Sequence, residues 1–139
     1  MFAATKRIYD KLRAMEGLKV FTEENEKSSK VWLQFPIKNG GDYRIKFISI
    51  DNDNDVAVRV FGLIRVGEAQ KPKILETLNT LNNKYRYFKF CCNNDGDVNI
   101  EYDYLLRSEN PENSADEIMF RFVKIIDEVY PQLMHALWG

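Results

Sequence analysis

Histidine occurs once in this sequence, as His135, and cysteine only twice, at the adjacent positions Cys91 and Cys92. Neighbouring side chains on a strand point to opposite faces, so these thiols make a poor structural disulfide and suit a reducing compartment. The expected location is therefore the cytoplasm. A lone histidine also leaves little for nucleophilic catalysis. A cysteine–histidine pair would need the chain end to reach a central strand, and a serine nucleophile would need the same histidine or a lysine base. No helix N-terminus or basic cluster is placed to lower a thiol pKa.

Long apolar runs are missing too. No stretch approaches the roughly 18 residues that span a bilayer. Near Met1, Lys6 and Arg7 arrive before an apolar stretch develops, which is not the pattern of a secretory signal. The net charge is −1, so no overall field recruits nucleic acid or an anionic membrane. Gly40-Gly41 falls in a hairpin, and no lysine follows at the spacing of a phosphate loop. Repeats, low-complexity tracts and linker-like segments are absent, so the expectation is one domain over residues 1–139.

What remains is ordinary globular material, 45% hydrophobic and 29% charged. A chain of this length buries about two-thirds of its unfolded surface. Ile8, Leu12 and Met15 share a stripe that predicts a helix from about Ala3 to Glu16, stopped near Gly17. Leu18 to Thr22 fits a short strand before the polar turn Glu23 to Ser29. The period then becomes two: Val31, Leu33, Phe35 and Ile37 alternate with Trp32, Gln34, Pro36 and Lys38, and Tyr43, Ile45 and Phe47 with Arg44 and Lys46. Pro36 places its strand at an edge or a bulge. A third strand runs from Val56 to Val66, with Val58, Val60, Ile64 and Val66 opposite Arg59, Phe61, Leu63 and Arg65.

Pro72 opens a helix carrying Ile74, Leu78 and Leu81. Strands follow at Arg86 to Cys92 and Asp97 to Leu105. Ser114 to Glu117 reads as a capping box for a last helix striped by Ile118, Phe122, Ile126, Val129 and Leu133. A kink or break is expected near Asp127 to Pro131. Hairpin connections make the class α+β, a largely antiparallel sheet with packed helices.

The second hairpin has a derivable register. Phe88, Phe90 and Cys92 must share a face with Val98, Ile100 and Tyr102. A two-residue Asp95-Gly96 turn would set Phe90 opposite Glu101. A three-residue loop, Asn94-Asp95-Gly96, pairs Phe90 with Ile100 and Lys89 with Glu101, with Gly96 at the left-handed position.

Several constellations invite chemistry and fall short of it. Asp51-Asn52-Asp53-Asn54-Asp55 has the oxygen spacing of half a calcium loop, but Val56 stands where glycine belongs and Gly62 where glutamate belongs. A loop whose side chains cap their own backbone explains it, and no metal or other cofactor is expected. Glu101 and Asp103 share a strand face, but Lys89 and Tyr87 as neighbours make them solvated surface rather than an acid–base pair. Lys84 to Phe90 interleaves bases with aromatics, yet lacks the glycine and the element order of an RNA-recognition sheet.

Five segments carry a family resemblance: Val60-Phe61-Gly62-Leu63-Ile64, Leu78-Asn79-Thr80-Leu81-Asn82, Tyr87-Phe88-Lys89-Phe90, Asp95-Gly96-Asp97-Val98 and Val129-Tyr130-Pro131. Taken in order from about Leu18 to the C-terminus, the chain resembles the YbjN-like family, whose members share the type III secretion chaperone-like fold. The resemblance implies an α-β-β-β-α-β-β-α plan and a small homodimer that holds a segment of another protein. It also implies a regulatory label, and brings no catalytic residues. Secretion chaperones tend to be clearly acidic, whereas this chain is near neutral.

The expectation is a non-enzymatic, chaperone-like adaptor or regulator that binds another protein and no membrane. Trp32, Phe61 and Leu63, interspersed with Arg59 and Arg65, are the expected contact residues, since a solvated sheet face should be polar. The alternative is that a loop or the second helix covers them. A second expectation from another class is a weak single-stranded nucleic-acid binder using Tyr85, Tyr87 and Lys89. A third is a small hydrolase or metal-dependent enzyme.

Overall fold

The computed structural model describes residues 1–38, 40–50, 55–105 and 110–139. Among these residues the chain runs α1 (Ala3–Arg13), β1 (Phe21–Glu24), β2 (Ser28–Pro36), β3 (Asp42–Ile50), β4 (Ala57–Arg65), α2 (Lys71–Lys84), β5 (Lys89–Cys92), β6 (Asp97–Asp103) and α3 (Glu112–Trp138). The strands form one antiparallel sheet in the order β1-β2-β3-β4-β6-β5. The class is α+β, as the alternation of periods predicts, with the short β1 added ahead of the three long strands.

Local chemistry sets most boundaries. β1 starts at Phe21, three residues later than its predicted start, because the Leu18 N–H still bonds the Met15 carbonyl in the turn after α1; at the other end Asn25 builds the turn that fixes its register. The Asn25 carboxamide oxygen accepts from the N–H groups of Lys27 and Ser28 at 2.8 and 2.9 Å, and its own N–H donates to the Ser28 carbonyl. Pro36 sits at the far end of β2, opposite Asp42 and beyond the reach of β1, where a missing donor costs no ladder bond.

The second hairpin has the derived register, with Lys89 opposite Glu101 and Phe90 opposite Ile100. Gly96 adopts φ +87, and a Cβ there would stand 2.3 Å from the Val66 carbonyl oxygen. Only glycine permits both the turn and this close approach.

α3 differs from its expected outline. It begins at Glu112, ahead of the Ser114 box, because Pro111 supplies preset helical geometry and its carbonyl accepts the Ser114 N–H. It also continues through Pro131 to Trp138 instead of breaking. Asp127, whose carbonyl loses a donor to Pro131, is exposed, so water can take that carbonyl.

One core joins sheet and helices. Val31, Leu33, Ile45, Phe47, Val58, Val60 and Ile100 cluster with Ile8 and Leu12 of α1, Ile74 and Leu78 of α2, and Phe122 and Ile126 of α3. Phe88 meets Phe122 edge-on at 4.9 Å. The helices therefore cover one face of the sheet and leave the other open.

Candidate functional site

The open face is built from the alternate residues of the same strands. Register places one row across all six: Phe21, Trp32, Lys46, Arg59, Glu101 and Lys89. The next row holds Lys30, Ile48, Ala57 and Asp103. Among the described residues no helix lies over either.

Aromatic rings and cations concentrate at one end. Phe21 and Trp32 stack with centroids 4.3 Å apart. The Arg44 guanidinium lies 4.1 Å from the centroid of the Trp32 ring, so Trp32 stands between an aromatic and a cationic plane. The Lys46 ammonium sits 5.8 Å from the Phe61 ring centroid, and Phe61 is 52% exposed. Between them opens a cleft of about 310 Å³ lined by Gln34, Asp42, Arg44, Lys46 and Phe61. Gln34 organises its floor, donating to Asp42 at 2.9 Å and accepting from Arg44 at 3.4 Å.

The other end is an ion-pair network. Arg59 meets Asp103 at 2.8 Å and Glu101 at 3.9 Å, and donates to the Tyr102 carbonyl. Lys89 reaches Glu101 at 3.6 Å. Arg59 is thus committed inside the sheet, and Arg65 is exposed near the end of β4. The two carboxylates are held by cations, as solvated pairing requires: Lys89 stands opposite Glu101 as expected, and Arg59 holds Asp103, where Tyr87 was expected, while also reaching Glu101.

Leu63 departs from its expected place. It is 8% exposed and joins the core cluster, while Phe61 stays outside. The cause is a bulge: Val60 pairs with Ile100 and Ile64 with Val98, so three residues of β4 arch over the single Asn99. Gly62 takes φ +61 within the arch, and its N–H donates to the Asn99 carboxamide oxygen at 2.8 Å. Asn99, buried in the sheet, was not singled out in the sequence. The signal was a glycine within a strand facing an asparagine on its neighbour.

Tyr85, Tyr87 and Lys89 do not share a face. Lys89 belongs to the open row. Tyr85 turns toward the covered side, 5.7 Å from Phe90, and its hydroxyl donates to Glu128 on α3 at 2.7 Å. Burial and that hydrogen bond push its pKa up to about 12. Tyr87 breaks the strand pattern with φ +70, a left-handed conformation that costs a side chain about 1–2 kcal/mol.

The thiols sit on opposite faces, Cys91 beside Glu101 and Cys92 against the core. Burial raises both pKa values, and the Glu101 carboxylate raises Cys91 further, which disfavours the thiolate. His135 lies on α3, across the sheet from Cys91. Among the described residues no group of three His, Cys, Asp or Glu side chains is placed to hold a metal ion. The acidic loop singled out in the sequence lies outside the described residues except for Asp55. Among the described residues no helix is long and apolar enough to cross a membrane.

No curated protein and no solved structure matches the chain. A family model does, over residues 36–134, and its description is YbjN, "putative bacterial sensory transduction regulator". The match takes in β3 to β6, α2 and most of α3, including every segment that carried the resemblance, and on that extent the chain belongs to the YbjN family.

Proposed function

We propose that this chain acts as a regulator by binding protein, with no chemistry of its own, and that the open sheet face is its docking surface. The observation that carries the reading is the aromatic–cationic end of that face. Trp32 and Phe61 are large rings on a side of the sheet that no helix covers among the described residues, flanked by Arg44 and Lys46. Among the described residues neither cation has a carboxylate within ion-pair distance. Tryptophan, aromatic and arginine side chains are the usual anchors of protein interfaces. The family description, a regulator rather than an enzyme, supports the same reading.

The first occupant to test is a second copy. Facing sheets bring the aromatic–cationic end of one chain against the Glu101–Asp103 end of the other, which a two-fold axis satisfies twice. The adaptor role is then a homodimer that holds a segment of another protein. Sedimentation velocity of wild type and of Phe61→Thr and Trp32→Thr decides it. A wild-type dimer that becomes monomer in both variants, with unchanged circular dichroism, supports the reading. A wild-type monomer, or variants that associate as wild type does, overturns the dimer.

A further inference from the structure

The connection between α2 and β5 meets α3 in a second cleft, of about 490 Å³, whose walls include Lys84, Arg86, Arg121 and Lys124 with Tyr85 and Tyr87. Its volume lies within the roughly 300–1,000 Å³ that small-molecule sites occupy. We propose that this cleft binds a mononucleotide bearing two or more phosphates, its base stacked on Tyr87 and its phosphates on the four cations.

Charge makes the first half of the case. In a chain with 20 basic and 21 acidic residues, one cleft gathers four cations and a single carboxylate, Glu128. Glu128 is engaged by the Tyr85 hydroxyl at 2.7 Å. Arg121 has Glu117 at 3.1 Å, but among the described residues Arg86 and Lys124 have no carboxylate partner. Such a site attracts an anion, and arginine beside lysine suits phosphate oxygens. A single solvated helix face would account for Arg121 and Lys124, three apart on α3. It does not account for Lys84 and Arg86, which a different segment brings to the same hollow.

Tyr87 makes the second half. Strict alternation inward from Phe90 would turn residues 88 and 86 to the core. Instead Tyr85 and Phe88 are the inward pair, 5.7 Å from Phe90 and 4.9 Å from Phe122, and the left-handed turn at Tyr87 makes that change of phase. The fold therefore needs φ +70 at this position. It does not need tyrosine, since glycine or asparagine takes that conformation more readily. Yet a tyrosine stands there with 77% of its surface exposed. Among the described residues its ring has no stacked aromatic and no cation–π partner, and it borders the cationic hollow. Backbone held in such a region commonly marks a ligand clamp.

The same geometry chooses among anions. Bare phosphate leaves the ring unused. A nucleic-acid strand needs a track of aromatics and cations running on from the cleft, and Lys89, the next base along the chain, faces the opposite side of the sheet.

Calorimetric titration with ADP at two salt concentrations tests the proposal, with pyrophosphate and a single-stranded oligothymidylate as comparators. ADP is expected to bind, more weakly at the higher salt. The double variant R86A/K124A should lose about tenfold or more in affinity. Tyr87→Gly should lose about fivefold or more for ADP, keep its pyrophosphate affinity, and melt no lower than wild type. Absence of ADP binding at millimolar concentration overturns the proposal. So does ADP binding no tighter than pyrophosphate, or binding indifferent to both variants. Oligonucleotide affinity that grows with length beyond that of ADP would assign the cleft to nucleic acid instead. The cleft is remote from the Trp32–Phe61 end of the open face, so neither Phe61→Thr nor Trp32→Thr should change any of these titrations.

Discussion

The two faces of the sheet are made from the same strands by alternate residues, and they follow different rules. On the covered face Val31, Leu33, Ile45, Phe47, Val58, Val60 and Ile100 are each at most 1% exposed. Removing apolar surface from water is a non-directional demand, met by shape and volume alone. On the open face Trp32, Arg44, Lys46 and Phe61 meet no such demand, and stacking and cation–π contacts order them instead. The covered face holds the molecule together; the open one has identities that folding leaves free.

The largest expected effect lies on the covered face. Phe122 and Phe90 are buried, so Phe122→Ala and Phe90→Ala should each cost about 3–5 kcal/mol in denaturant titrations. An unchanged midpoint would place those rings outside the core. Alkali should act on the same side of the sheet. Tyr43 and Tyr104 are pushed well above the usual tyrosine range by burial, and Tyr85 to about 12 by burial and Glu128. Their neutral forms are favoured in the folded chain. The stability they contribute is complete below the unfolded-state value near 10, and is lost as pH rises from there through the folded-state value, about 12 for Tyr85. Denaturant midpoints that stay flat from pH 10 to 12 would contradict these burials.

Smaller effects belong to the open face. Phe61→Thr should cost less than about 1 kcal/mol, because its ring is half in water and threonine suits a strand. A loss as large as that of Phe122→Ala would erase the distinction between the faces. Smallest of all, Lys89 and Glu101 meet at 3.6 Å with Lys89 largely solvated. Reversing either charge should cost under about 1 kcal/mol, and exchanging the two should be nearly neutral in the same assay.

How much of this the sequence discloses depends on how local its cause is. The pairing of Phe90 with Ile100 follows from Gly96 and two short apolar alternations, all within one hairpin. The stripes of the helices were legible for the same reason. Leu63 was not, because its place depends on a bulge that forms only when Gly62 meets Asn99 from another strand. The start of α3 was misread because Ser114 carries the box pattern while Pro111 sets the geometry. At the candidate site, Trp32 and Phe61 were legible as apolar residues at outward positions. Phe21 was not, since its register comes from the Asn25 turn, nor was the commitment of Arg59 to Asp103. The basic cleft was only half visible: Lys84 to Tyr87 are contiguous, but Arg121 and Lys124 arrive from another element.

The sheet's two edges are finished differently. At β5 the Asn82 side chain takes the place of a peptide group: its carboxamide oxygen accepts the Phe90 N–H at 2.7 Å, and its nitrogen donates to the Phe90 carbonyl at 2.9 Å. At β1 the outer edge has no strand beside it among the described residues and runs only from Phe21 to Glu24. Strand addition needs free donors and acceptors in a row. An incoming strand at β5 would first have to displace a side chain anchored on α2, whereas among the described residues β1 is a terminal strand with no such side-chain pairing. Growth along the sheet can therefore begin at one end and has no matching start at the other. A sheet with one usable edge cannot be extended end on end, which guards it against growth into a fibre.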